Sequence, residues 1–292
     1  MLNIAAGTSS YTINNSLRLR SSASAYLTRT LGSASSRTTW TYSFWFKRGL
    51  MGGTYYILSN GNGNANNTEE SLYFEATDKI TFINVTQNVA VNWDITTTQV
   101  FRDPSAWYHL VIAVDTTQAT ASNRIKFYVN GSQITSFSSA NYPSQNANMT
   151  QGASGLTNEI GRRAQVSNNY NDIYFAEFNF VTGQQLTPSS FGETDSITGV
   201  WKPKKYTGTY GTNGYYLNFS DIATTSGSNA GLGKDSSGNG NYFNTNNISV
   251  TSGVTYDAMI DSPTMGYSAT RPVGNYCTLN PLLRSYSSIT NA

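Results

Sequence analysis

The side chains able to do chemistry in this 292-residue chain fall in a few short stretches. Its one histidine, His109, lies inside WYHLVIAVD, a run that reads as a strand, and an imidazole in mid-strand serves packing and hydrogen bonding rather than proton transfer. No Ser, His, Asp set can be assembled without it. Cleaving a glycosidic bond needs two carboxylates roughly 5–9 Å apart across the sugar. The nearest approach is Glu193-Thr194-Asp195, beside Gly192 in what reads as a loop, so catalysis is not expected. In Asp235-Ser236-Ser237-Gly238-Asn239-Gly240-Asn241 oxygen side chains alternate with turn-forming glycines. Asp235, Asn239 and Asn241 are therefore candidate ligands for a hard cation. No cofactor is required, and calcium is the ion such a loop admits; the competing reading is a Gly/Asn turn ahead of a strand at Tyr242 and Phe243. Saccharide recognition needs exposed aromatic faces flanked by amides and hydroxyls. The loop residues Tyr142, Asn168, Asn169, Tyr170, Tyr206 and Tyr210 have that chemistry.

The elements that must position these residues are extended. In Trp107 to Val114 both alternating sets are mostly apolar, which places the strand inside a layered structure. Ile125, Phe127 and Val129 share one face of the next strand, and Asn130-Gly131 supplies a turn. Trp40, Tyr42, Phe44 and Phe46 alternate with Thr41, Ser43, Trp45 and Lys47 in a core strand. In Asp172 to Val181 simple alternation makes Tyr174, Ala176, Phe178 and Phe180 the core face. Leu17 and Leu19 alternate with arginines in an edge strand, Gly214 to Phe219 forms a late strand, and Thr187-Pro188 can cap one helical turn. No amphipathic helix is evident.

Composition bounds the function classes. A net charge of +2 from scattered basic and acidic residues gives no footprint for nucleic acid or an anionic membrane. No apolar run is long enough to span a bilayer, and MLNIAAGTSSYT does not read as a secretion signal, so no membrane insertion is expected. A single cysteine, Cys277, excludes an internal disulfide. The organisation expected is an N-terminal arm over residues 1–12, a sandwich over 13–222, and a Gly/Asn-rich extension over 223–292 partly packed on it.

WTYSFWFKRG (Trp40 to Gly49), WYHLVIAVD with RIKFYVNG, and DIYFAEFNFVTGQQLTPSSFG (Asp172 to Gly192) resemble successive signatures of the concanavalin A-like lectin/glucanase family, laminin G type. The order YTINNSLRLR, WTYSFWFKRG, FGETDSITGVWKPKKYTGTYGTNGYYLNF, KDSSGNGNYFNTNNIS and DSPT is similar to virion proteins of tailed bacteriophages. The resemblance implies an all-β, antiparallel jelly-roll sandwich with an irregular C-terminal extension. It implies a non-enzymatic virion protein, on a tail fibre, tail tip or capsid decoration, assembled in the host cytoplasm. Its partners would be other virion proteins, copies of itself in a homo-oligomer such as a trimer, and host-surface polysaccharide. Family members often carry an acid near Val181-Thr182-Gly183, and this chain has none there. Glucanases of the fold carry Glu-x-Asp-x-x-Glu on a strand, whereas the third acid is missing after Glu193 and Asp195. A virion polysaccharide depolymerase and a bacterial surface adhesin are the alternatives.

Overall fold

Large apolar side chains recurring at every second position make strands that must bury one face, and two such sheets close on each other here. The computed structural model describes residues 11–61, 68–164, 169–264, 266–268 and 271–273. Its strands are β1 (Ser16–Leu19), β2 (Tyr26–Thr30), β3 (Thr39–Arg48), β4 (Tyr55–Gly61), β5 (Thr68–Phe74), β6 (Lys79–Thr86), β7 (Ala90–Val100), β8 (Tyr108–Asp115), β9 (Ile125–Val129) and β10 (Ser132–Ile134). They continue with β11 (Phe137–Asn141), β12 (Thr157–Ile160), β13 (Ile173–Thr182), β14 (Gly192–Thr194), β15 (Trp201–Pro203), β16 (Tyr215–Leu217), β17 (Asn244–Asn246), β18 (Ala258–Met259), β19 (Gly266–Ser268) and β20 (Arg271–Val273). The first sheet runs β10-β9-β8-β3-β13-β1-β18, with β16 also on β13, and the second runs β11-β7-β6-β5-β4-β12-β2-β17. Pairs β14-β15 and β19-β20 stand apart. This is the all-β antiparallel sandwich expected from the sequence.

The core lies between the sheets. Trp40, Tyr42, Phe44 and Phe46 of β3 face Leu72, Phe74, Ile80 and Phe82 of the second sheet. Ring pairs order it: Phe44 stacks on Phe178 with centroids 4.5 Å apart, and Tyr42 on Phe180 at 4.4 Å. Such pairs add about 0.5–1.5 kcal/mol each beyond area burial.

Strand β13 departs from simple alternation. Its register with β3 runs Ala176↔Trp45 and then Asn179↔Ser43, so Glu177 and Phe178 together oppose Phe44. This is a β-bulge, and Glu177 takes the left-handed conformation at φ +51. The extra residue swaps the faces. Ile173 and Phe175 fill the core ahead of the bulge and Phe178 and Phe180 after it, while Ala176 belongs to a cluster on the outer face. The alternation read from sequence is thus right for Phe178 and Phe180 and reversed for Tyr174 and Ala176.

The first sheet is covered on its outer face as well. Ile13, Trp45 and Ala176 pack with Tyr11, Trp107 and Trp201, and Val111, Val181 and Phe191 pack with Leu186, Tyr206 and Tyr210. That second covering explains why both sets of β8 are apolar. Residues 223–264 add β17 to the second sheet and β18 to the first, and place Leu232, Phe243 and Ala258 in the core. Of the expected N-terminal arm, residues 1–10 lie outside the described residues.

Two buried titratable groups have opposite linkage. His109 is 1% exposed. The Trp201 indole N–H donates to its Nδ1 at 3.0 Å, and an indole cannot accept, so Nδ1 is unprotonated and Nε2–H donates to Ser43 Oγ at 2.9 Å. Burial pulls the imidazole pKa down to about 3. Glu70, on the inner face of β5, accepts from the Thr150 backbone N–H at 2.8 Å, and burial pushes its pKa up to about 7. The unfolded chain binds the His109 proton below about 6.5, so this site loses stability as pH falls through 6.5 toward 3. Glu70 does the reverse, gaining stability as pH falls from about 7 to its unfolded value of 4.5. Relative to the wild type between pH 6.5 and 4.5, urea unfolding of His109→Gln should show a gain of about 2 kcal/mol, and of Glu70→Gln a loss of about 2 kcal/mol. Changes of one sign in both variants would contradict these assignments.

Candidate functional site

A left-handed non-glycine residue inside a strand costs about 1–3 kcal/mol and persists only where the surroundings impose it. At Glu177 the surroundings are tyrosines. Strand β16 pairs with β13 through Asn179↔Tyr216, which brings the Tyr216 hydroxyl to donate to both Glu177 carboxylate oxygens at 2.7 Å. Tyr11, from the segment crossing the outer face, donates to Oε2 at 2.7 Å, and the two hydroxyl oxygens are 3.0 Å apart. Tyr210 donates to Asn179 Oδ1 at 2.9 Å, lies parallel to Tyr216 with centroids 6.3 Å apart, and meets Tyr206 edge-on at 5.1 Å. The turn joining Tyr210 to Tyr216 needs glycine: a Cβ on Gly214 would sit 1.9 Å from the Tyr210 carbonyl.

Glu177, Tyr11, Tyr206, Tyr210 and Tyr216 line a recess of about 510 Å³ on the outer face of the first sheet, with Lys205, Asn14, Asn218 and Ser236 also lining it. Burial raises the Glu177 pKa, opposed by the hydroxyls of Tyr216 and Tyr11 and by the charge of Lys205. Burial, with the Glu177 charge second, holds the phenols of Tyr11, Tyr210 and Tyr216 well above their usual range, so they stay protonated donors. The recess therefore combines ring faces, fixed hydroxyls, amides and one carboxylate. Among its described lining residues Glu177 is the only carboxylate, which leaves no acid and base pair.

Of the sequence-selected saccharide residues, Tyr206 and Tyr210 meet here. Tyr142 does not: it is half-buried after β11 and packs against the core. Tyr170 and exposed Asn169 lie on the loop before β13, where the Arg162 guanidinium sits 3.6 Å over the Tyr26 ring and donates to the Tyr170 hydroxyl at 3.4 Å. Asn168 lies outside the described residues. The calcium-candidate loop is occupied by its own backbone. Asp235 accepts from the N–H groups of Tyr216, Ser237 and Asn241 and from the Ser237 hydroxyl, at 2.7–2.9 Å. Asn239 and Asn241 donate to the carbonyls of Gly211, Thr212 and Gly214. Among the described residues no three His, Cys, Asp or Glu side chains form a cation cluster. Glu193 and Asp195 both pair with Lys202 at 3.3 Å on the β14-β15 hairpin.

Glu177, Tyr11 and Tyr216 are absent from the sequence-selected set. The readable signal is the lone carboxylate in the aromatic strand IYFAEFNFVT. The convergence of two tyrosines 166 and 39 residues away was not readable.

Residues 21–181 match the laminin G-type model of the concanavalin A-like lectin/glucanases superfamily. No curated protein matches the chain. Among solved structures, a Bacteroides ovatus protein assigned as carbohydrate-binding is similar in fold, with TM-score 0.51 and 13% identity over 82% of this chain and 59% of its own. A heptameric SAP-like pentraxin from Limulus polyphemus gives TM-score 0.41 at 14% identity over 61% and 80%, respectively. Domains LG4-5 of the mouse laminin α1 chain give 0.38 at 11% over 74% and 51%.

Because the Tyr216 hydroxyl is the strongest of the groups that oppose the rise burial imposes on the Glu177 pKa, Tyr216→Phe should raise it further. Carboxyl-carbon NMR titration of both proteins checks this. An unchanged or lowered value would mean that the hydroxyl does not bond the carboxylate.

Proposed function

The chain belongs to the concanavalin A-like lectin/glucanases superfamily, and from that premise we propose that it is a carbohydrate-binding protein whose site is the Glu177 recess. The observation that carries this reading is the bulge that aims a half-buried carboxylate into a tyrosine-lined recess. A pyranose has an apolar face for the Tyr206 ring and hydroxyls for Glu177 and the rim amides. Binding is not accompanied by bond cleavage, because hydrolysis needs a second carboxylate across the sugar and the lining offers one.

The setting we propose is the surface of a tailed-phage virion. There the protein would be a non-enzymatic appendage or decoration, held as a homo-oligomer to neighbouring virion proteins and presenting its recess to host-surface polysaccharide. The order of motifs from YTINNSLRLR to DSPT supports this.

Binding to a glycan array, followed by calorimetric titration with a retained glycan, tests the site. Glu177→Gln should weaken affinity at least tenfold, since a hydrogen bond to a charged group contributes about 1.5–3 kcal/mol. Tyr206→Ala should weaken it as well, and because that ring also stacks on Phe191 it should lower the melting temperature too. No retained glycan, or undiminished affinity in Glu177→Gln, would remove this site. Release of shorter oligosaccharides would make the protein a depolymerase instead, and absence from purified particles would remove the virion setting.

A further inference from the structure

A second recess, of about 570 Å³, opens on the same outer face, and three of the chain's five tryptophans line it: Trp45, Trp107 and Trp201. Each is fixed from behind. Trp45 extends from β3 opposite Ala176 and stacks on His109 with centroids 4.9 Å apart. Trp107 donates its indole N–H to Asp261 Oδ1 at 3.2 Å and meets the Tyr174 ring edge-on. Trp201 donates to His109 Nδ1 at 3.0 Å and lies flat over two glycines: a Cβ on Gly131 or Gly192 would come within 2.4 Å of its ring. With the N–H donors of Trp107 and Trp201 engaged inside the protein, these indoles offer the recess ring surface.

The remaining lining includes Ser105, Asn130, Ser132 and Thr194, and none of the described lining residues is charged; Lys47, 5.7 Å from the Trp107 ring, and Asp261, which takes its indole N–H, pair with each other. Indole faces beside neutral hydroxyls and an amide are the chemistry of a neutral pyranose, which stacks through its C–H face and bonds through its hydroxyls. An anion would need a lysine or arginine, and a cation a carboxylate. The Glu177 recess is charged, by contrast, and the two are neighbours. Ala176, the partner of Trp45, precedes Glu177, and Ile13 packs on Trp45 and Ala176 while Tyr11 bonds Glu177.

We infer that the tryptophan-lined groove is a separate saccharide site, taking neutral hexopyranose units. It deepens the carbohydrate-binding reading in ligand class and shares no residue with the Glu177 recess. The test uses the full chain titrated with neutral gluco-, manno- and galacto-hexaoses, read by tryptophan emission. The described lining of the Glu177 recess holds no tryptophan, and the Thr194→Arg and Trp107→Ala variants separate a signal from this groove from one at Trp93, which lines another recess. At least one hexaose should quench or shift the emission saturably. Thr194→Arg, which places a charged side chain into the groove from an exposed hairpin position, should raise the half-saturating concentration at least tenfold. Trp107→Ala should do the same, whereas Trp107→Phe, which keeps an aromatic face, should hold it within a few-fold. No saturable change with any hexaose, or saturation unaltered in both Thr194→Arg and Trp107→Ala, would overturn the inference.

Discussion

One extra residue in β13 sets the terms for the rest of this protein. Where Glu177 and Phe178 oppose the single Phe44, the strand changes which side chains it sends inward. Ile173 and Phe175 enter the core on one side of the bulge, Phe178 and Phe180 on the other, and the run of stacked rings against Tyr42 and Phe44 depends on that change. The far edge of β13 is divided at the same point: β1 pairs with residues 173–175 and β16 with 178–180. The residue at the break is left on the outer face as a carboxylate. Packing, strand order and site chemistry therefore follow from one local irregularity.

Around it the first sheet is enclosed by its own chain. Arg18 and Arg20 bind Asp257, Lys47 binds Asp261, and Ile13 exchanges hydrogen bonds with Thr264, so the segment leading into β1 is stitched to the segment beyond β18. The β14-β15 hairpin is held by Trp201 on His109. These clasps turn what would be a bare sheet face into two walled recesses, one carrying charge and tyrosines, the other neutral and lined by indoles.

Much of the fold was legible because its signals are local. Trp40, Tyr42, Phe44 and Phe46 announce a core strand by alternation, and Asn130-Gly131 announces a turn, which forms with both residues at positive φ. The bulge was not legible, since alternation carries no mark for an inserted residue, and its neighbours Tyr174 and Ala176 were assigned to the wrong face for that reason. The site was legible only in part. Tyr206 and Tyr210 stood out as loop aromatics, but Tyr11 and Tyr216 reach Glu177 through strand pairing and chain crossing that a linear sequence does not display. The Asp235 loop shows the converse. Its composition resembles a cation loop, yet its oxygens and amides close on the loop's own backbone and on the turn at Gly211 to Gly214. Composition names the groups that can coordinate and leaves open whether the backbone has already taken them.

The outer face of the first sheet is the central claim, and a crystal structure with an array-selected oligosaccharide tests it most directly. The account predicts sugar density on that face, with a ring against Tyr206 and hydroxyls within hydrogen-bonding distance of Glu177. Sugar bound on the second sheet, or at the end of the sandwich beside Arg37 and Trp93, with the outer face of the first sheet empty, would contradict it.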